Sequence, residues 1–340
     1  MYRYLIRPIV FGINPESANR QTLSLLKFSN RIPLINTIRK WLRKKNEHKL
    51  KKELFGITFS NPIGSGPGIN PDAEYCNELS SVGFGFVEIG PLTPKAQCSS
   101  KDMPRILPIT QDKALIERLN AENKGIHNII KNLKAEKPDT VIAANITQQR
   151  NSVNEDLSKD YEKSFSLIYD FVDMFILNIC PAVGAMSDLL ETVSEVGDRL
   201  LDLRMYFDDY RPILIKISID TPRVQIDEII DYCMRSGIDG VVVSDRSKGR
   251  KGLTISEEKV KQIGDGFLMG APVYEQSLAV VKYIYEKTGH SLPIIAGGGV
   301  MSPEQAKEML DSGASLIELS AAFFYDPKIV RKTLKYLSTK

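Results

Sequence analysis

Cys180 stands before Pro181 in the stretch LNICPAVGAM, residues 177–186, two positions after Asn178. An ionised thiol is a competent general base, with an ordinary pKa of about 8.5. A buried thiol ahead of a turn instead packs as a small apolar residue. Lys216 lies among apolar neighbours in ILIKIS. Lysines are rarely buried without a partner, so it either presents a cation to a ligand or reaches out to water at a strand end. Asn145 and Asn178 each close an apolar run. Their amides could bond a planar heterocycle or shape a turn. Gly297, Gly298 and Gly299 precede a helix start near Pro303, and Ser320 closes the next run. Glycines let backbone N–H groups approach an anion, and tight turns use the same residues. Arg246 opens the loop DRSKGRKG, with Lys248, Arg250 and Lys251 behind it. That loop is either an anion-attracting lid or a solvated basic surface.

These residues fall at the ends of regularly spaced apolar runs. Strands are expected at Ile63–Ser65, Phe86–Ile89, Val141–Ile146, Met174–Asn178, Ile213–Ser218, Gly240–Ser244, Pro293–Ala296 and Leu316–Ser320. Helical patterns lie between most of them, at Asp72–Val82, Glu155–Tyr169, Val224–Ser236, Tyr274–Thr288, Pro303–Ser312 and Pro327–Leu337. Eight strands in βα alternation predict an α/β fold of the (β/α)8 TIM-barrel type. A doubly wound sheet is the rival, but no GxGxxG opens the first βα unit. Residues 90–140 read as an insertion carrying loops over the barrel top. In such a barrel the active site lies at the C-terminal ends of the strands.

The chain has 340 residues and a net charge of +3, unevenly spread. Residues 1–52 carry 13 Lys/Arg against two acids, while the remainder carries 32 against 40. Residues 1–50 therefore read as a basic, helical extension of a barrel spanning 51–340. Asn14 and Pro15 give a helix start, and Leu34, Ile35, Ile38, Trp41 and Leu42 recur at helical spacing. This extension either lies on an anionic membrane surface or caps the barrel. No apolar run reaches the length of a spanning helix, and no signal-peptide pattern opens the chain. The four cysteines are scattered without a CxxC pair. Reduced thiols in a cytoplasmic protein with peripheral membrane association are expected. With three scattered histidines they form no metal-site pattern.

Longer stretches carry a family likeness. The chain resembles the quinone-using, membrane-associated (class 2) dihydroorotate dehydrogenases in MYRYLIRPIVFGINPESAN, ELFGITFSNPIGSGPGIN, GFGFVEIGPLTPKAQ, LIERLNAENKG and LPIIAGGGVMSPEQAKEMLDSGASLIELSAAFF. The resemblance implies an FMN-binding barrel that oxidises dihydroorotate to orotate in pyrimidine biosynthesis, passing electrons to a quinone near the N-terminal helices. By position it assigns FMN contacts to Gly68, Asn145, Asn178, Lys216, Ser244, Gly270, Gly298, Gly299 and Ser320. A lysine beside the flavin's polar edge stabilises negative charge that develops there.

The expected substrate contacts are replaced. Pro71 stands where the family's GLDKDG has lysine, Glu117 and Ala121 replace the first Asn and the Phe of NRMGFNN, and Asp245–Arg246 replace Asn-Thr. Ala182 replaces the Asn of the strand-four loop, and Pro91 replaces the threonine after EIG. Arg246 could still hold a carboxylate, while Asp245 and Glu117 add opposing charge. The family pattern Asn-x-x-base-Pro is one residue shorter here. Cys180 is the base if the loop carries a one-residue deletion; otherwise Pro181 occupies that place. The resemblance thus implies an FMN oxidoreductase acting on dihydroorotate. Its alternatives are an enzyme of the same fold acting on another small anion, or a flavin-binding homologue without turnover.

Overall fold

The computed structural model describes residues 15–30, 49–98, 105–118, 122–149, 157–179 and 189–339. Eight parallel strands close into a barrel in chain order. They are β3 (Ile63–Asn70), β4 (Phe86–Leu92), β7 (Val141–Thr147), β8 (Met174–Asn178), β9 (Ile213–Ile217), β10 (Gly240–Val243), β13 (Ile294–Ala296) and β14 (Leu316–Leu319). All eight expected strands are present. They read as continuous apolar runs because both faces are covered, by the barrel interior and by an outer ring of helices.

The ring includes α2 (Cys76–Val82), α3 (Ile126–Glu136), α4 (Leu157–Ile168), α5 (Leu189–Arg204), α6 (Arg223–Ser236), α8 (Tyr274–Lys287), α9 (Pro303–Asp311) and α11 (Ile329–Thr339). The start of α9 matches its sequence signal. Ser302 accepts a hydrogen bond from the Gln305 N–H, and Pro303 follows at the first position. The expected helix from Asp72 begins only at Cys76. Residues 72–75 form a turn, held by Asn70 Oδ1 accepting from the Tyr75 N–H at 3.1 Å.

Inside the barrel, period-two alternation sorts side chains into layers. The lower layer is apolar: Phe86, Ala143, Met174, Ile176, Leu214, Val242, Ile295 and Leu316 pack as one cluster. The hairpin of β1 (Lys52–Leu54) and β2 (Ile57–Phe59) plugs the bottom with Phe59, whose ring meets Phe86 edge-on at 5.7 Å. The Phe86 ring occupies the space beside Gly64; a Cβ there would lie 2.2 Å from it.

The 90–140 insertion is more than loops. Its strands β5 (Ile106–Ile109) and β6 (Ala114–Glu117) join β11 (Arg246–Ser247) and β12 (Phe267–Gly270), which arise after β10, in an antiparallel sheet. Two short segments, α7 (Glu257–Ile263) and α10 (Ala321–Tyr325), complete the barrel body. From the N-terminal region, α1 (Pro15–Asn30) buries Leu23 and pairs Lys27 with Glu136 of α3. A groove of about 410 Å³ beneath α1 is lined by Arg20, Ser24, Lys27, Phe28, Glu74 and Tyr75, among others. The other N-terminal residues of the expected helices lie outside the described residues.

Candidate active site

Two residues further along each strand, the barrel interior turns from apolar to polar. Glu88 follows Phe86, Asn145 follows Ala143, Lys216 follows Leu214, Ser244 follows Val242 and Glu318 follows Leu316. Each is buried, with Glu88 and Asn145 at 0 % exposure. Lys216 Nζ lies 3.7 Å from Glu88 Oε1. Asn145 Nδ2 donates to that same oxygen. Glu318 lies on β14, one strand away from Glu88 across β3, and Glu318 Oε1 and Glu88 Oε2 are both buried without a hydrogen-bond partner.

Electrostatics in this layer oppose one another. Burial pulls the Lys216 ammonium down, but Glu88, Asp245 and Glu318 more than offset it and hold it above the ordinary lysine value. Burial, and then the neighbouring Glu88, push the Glu318 carboxyl well above the ordinary range.

Beside this layer, three glycines form a cradle. Gly298 and Gly299 have φ of +91° and +73°. A Cβ on Gly298 would lie 2.5 Å from Ser277 Oγ, and one on Gly299 would lie 2.8 Å from the Gly270 carbonyl. Gly270, at the end of β12, thus reaches the cradle from outside the barrel. A small cavity of about 10 Å³ here is lined by Asp245, Gly270, Gly298, Gly299, Glu318 and Ser320, among others.

On the other side the antiparallel sheet carries a chain of charges. Glu117 pairs in register with Ile106 of β5 and with Phe267 of β12, and Arg246 opens the next strand. Arg246 lies opposite Met269, two residues along β12 from Phe267, and its long side chain reaches back to Glu117, beside Arg105. Glu117 Oε1 accepts from Arg105 Nη1 at 3.2 Å, and Glu117 Oε2 lies 2.7 Å from Arg246 Nη1. Arg246 Nε is 3.6 Å from Asp245 Oδ1. Arg105 also donates to the Gly68 carbonyl at 3.4 Å, so the chain of charges reaches the end of β3.

The structure therefore brings Asn145, Lys216 and Ser244 into one layer, places Gly270, Gly298, Gly299 and Ser320 beside it, and joins Gly68, Glu117, Asp245 and Arg246 along its rim. Asn178 ends β8, and its carbonyl accepts from Tyr161 Oη at 2.9 Å and from Thr147 Oγ1 at 3.1 Å. Cys180, Ala121 and Ala182 lie outside the described residues. Glu88, Glu318 and Arg105 went unremarked in the sequence. The signal that picked out Lys216, a charge inside an apolar strand, was equally present in FVEIG and LIELS.

The fit to a flavin rests on unsatisfied atoms. Asn145 Oδ1, Lys216 Nζ and Ser320 Oγ are buried without hydrogen-bond partners, as are Ser65 Oγ, Glu88 Oε2, Glu318 Oε1 and both carboxylate oxygens of Asp245. Orphaned buried polar groups are costly unless a ligand completes them. An acceptor, a cation and a hydroxyl around a glycine cradle suit the polar edge and anionic tail of such a group.

A closed (β/α)8 barrel with a polar, charged mouth at the strand C-termini defines a barrel enzyme of the kind that binds its ligand there. The chain belongs to the dihydroorotate dehydrogenase family, whose sequence model matches residues 49–340. It is 33% identical over 335 residues to a dihydroorotate dehydrogenase (quinone) of Christiangramia forsetii, covering 97% of each chain. It is 32% identical over 347 residues to the enzyme of that name from Coxiella burnetii, covering 99% of this chain and 97% of the relative. The fold matches the structure of DHODH from Eimeria tenella in complex with ferulenol, with a TM-score of 0.79 at 22% identity over 89% of each chain.

Proposed function

We propose that this chain oxidises dihydroorotate to orotate with bound FMN and passes the electrons to a quinone. The observation that carries this reading is the set of orphaned atoms on Asn145, Lys216 and Ser320 beside the glycine cradle. FMN, when bound, supplies the two-electron acceptor. Asn145, Asn178 and Ser244 offer amide and hydroxyl bonds to hold it, and Gly68 offers a backbone contact. We assign its phosphate to the turn that carries Gly270, Gly298, Gly299 and Ser320. Lys216 holds a positive charge where negative charge must develop, in a layer from which water is excluded. Cys180 is the group we assign to take the substrate proton, once ionised. Orotate formation with a soluble quinone as acceptor tests the reading; no orotate from FMN-loaded protein would reject it.

A second reading follows from Glu117. Its carboxylate already occupies both Arg105 and Arg246. A substrate carboxylate must compete with it, which favours another small anion of different shape. Reduction of the bound flavin by such a compound, and not by dihydroorotate, would select this alternative.

The quinone is reached through the basic N-terminal extension, which we place against an anionic membrane surface. Two apolar side chains of α1 support this, since Leu25 is 71 % and Phe28 69 % exposed. Among the described residues no helix is long and apolar enough to cross a membrane. Binding to anionic vesicles that Leu25→Asp with Phe28→Asp abolishes would support the placement; equal binding of the variant would oppose it.

A further inference from the structure

We propose that Glu318 is a positioning residue of this site: it holds one proton against Glu88, so that Glu88 alone is ionised beneath Lys216 and the lysine keeps its field directed at the flavin. This rests on the flavin reading above. Strand register sets the two acids on either side of β3. Glu318 of β14 lies opposite Gly64 of β3, and Gly64 lies opposite Phe86 of β4, two residues before Glu88. One strand therefore separates the two acids. The inward positions of that strand are Gly64 and Gly66. A Cβ on Gly66 would lie 3.4 Å from Glu318 Cβ and 2.1 Å from Ser320 Oγ. The missing side chain is the space through which Glu318 reaches Glu88.

Both acids are buried, at 0 % for Glu88 and 2 % for Glu318. Two buried carboxylates on either side of a glycine strand, with no side chain between them, strongly disfavour a second negative charge, so the pair holds a proton. The surroundings decide where it sits. Glu88 accepts from Asn145 and faces the Lys216 ammonium, both of which favour its charged form. Glu318 Oε1 has no hydrogen-bond partner, and Glu318 has no cation within ion-pair distance among the described residues. The charged groups acting on Glu318 are Glu88, Lys216 and Asp245, and Arg246 acts on Lys216. Loss of the proton would add a second negative charge beneath the lysine and weaken the attraction that stabilises a reduced, anionic flavin.

The replacement Glu318→Gln keeps the shape and donor of the protonated acid and cannot ionise. Two measurements test the proposal, each across pH 5–9. The first is the ratio of the protein's affinities for reduced and oxidised FMN, taken from the midpoint potential. The second is thermal stability of the protein without added FMN. In the unaltered protein the ratio should fall on the order of tenfold more across this range than in Glu318→Gln. A raised carboxyl pKa means the folded state binds more protons, so stability should fall as pH rises. In Glu318→Gln that fall should be smaller and the melting temperature at high pH greater. Parallel profiles of ratio and stability in the two proteins would overturn the proposal. Failure of both proteins to bind FMN would reject the flavin reading instead and with it the field on the flavin. The stability profiles would then decide the proton pairing alone.

Discussion

Lys216 Nζ and Glu88 Oε1 lie 3.7 Å apart in a layer from which water is excluded, with side-chain exposures of 2 % and 0 %. An ion pair this deep adds little net stability, because desolvation offsets the attraction, yet breaking it is expensive. It persists because it fixes a cation at the mouth of the barrel. Asn145 donates to the same Glu88 oxygen and leaves its own Oδ1 unpartnered.

The first prediction follows from this pair. Glu88→Gln removes the ionised partner, but Glu318 is then free of its like-charged neighbour and can ionise in its place. Glu88→Gln alone should therefore cost less than Glu88→Gln with Glu318→Gln, which leaves Lys216 unpaired at about 3–5 kcal/mol. Denaturant unfolding of the two variants checks the order.

A second prediction concerns the barrel floor. A methyl group on Gly64 would overlap the Phe86 ring at 2.2 Å. Gly64→Ala should destabilise the protein by about 3 kcal/mol through overpacking. Gly237→Ala has open space around its Cβ and suffers only from its φ of +91°. It should cost about 1 kcal/mol. Melting curves of both variants test the contrast.

Glu117 gives a third. Glu117→Gln keeps the bulk and releases the charge that neutralises Arg105 and Arg246. Orotate should bind roughly tenfold tighter, since hydrogen bonds to charged groups contribute about 1.5–3 kcal/mol each. Titration of the FMN-loaded variant with orotate measures this; unchanged or weaker binding would remove Glu117 from the substrate site.

The fourth concerns thiols. Burial pushes Cys76 and Cys233 up to about 12, so neither reacts as a thiolate near neutral pH. Cys98 is exposed. Alkylation of the folded protein at pH 8 should modify Cys98 and spare Cys76 and Cys233, read by peptide mass analysis. If Cys180 is the base, Cys180→Ala should retain FMN and lose reduction by substrate by roughly 100-fold or more.

How far this site could be read from sequence differs from residue to residue. The barrel was legible because each parallel strand is covered on both faces and leaves an unbroken apolar run. Lys216, Asn145 and the Gly297–Gly299 turn stood out because each interrupts or ends such a run. Glu88 and Glu318 did the same but draw their meaning from each other, across a strand whose glycines leave no side chain between them. That contact joins residues 230 positions apart, and only register reveals it. The antiparallel sheet was read as loops because its strands come from two separate insertions. Glu117 was read as a replaced Asn that adds negative charge to the substrate site; the structure places it between two arginines.

The most direct test of the account is anaerobic mixing of FMN-loaded protein with excess dihydroorotate while the flavin absorbance is followed. The account predicts bleaching of the oxidised flavin band, stoichiometric orotate, and recovery of the band on adding a quinone. A flavin that stays oxidised at millimolar dihydroorotate would contradict it.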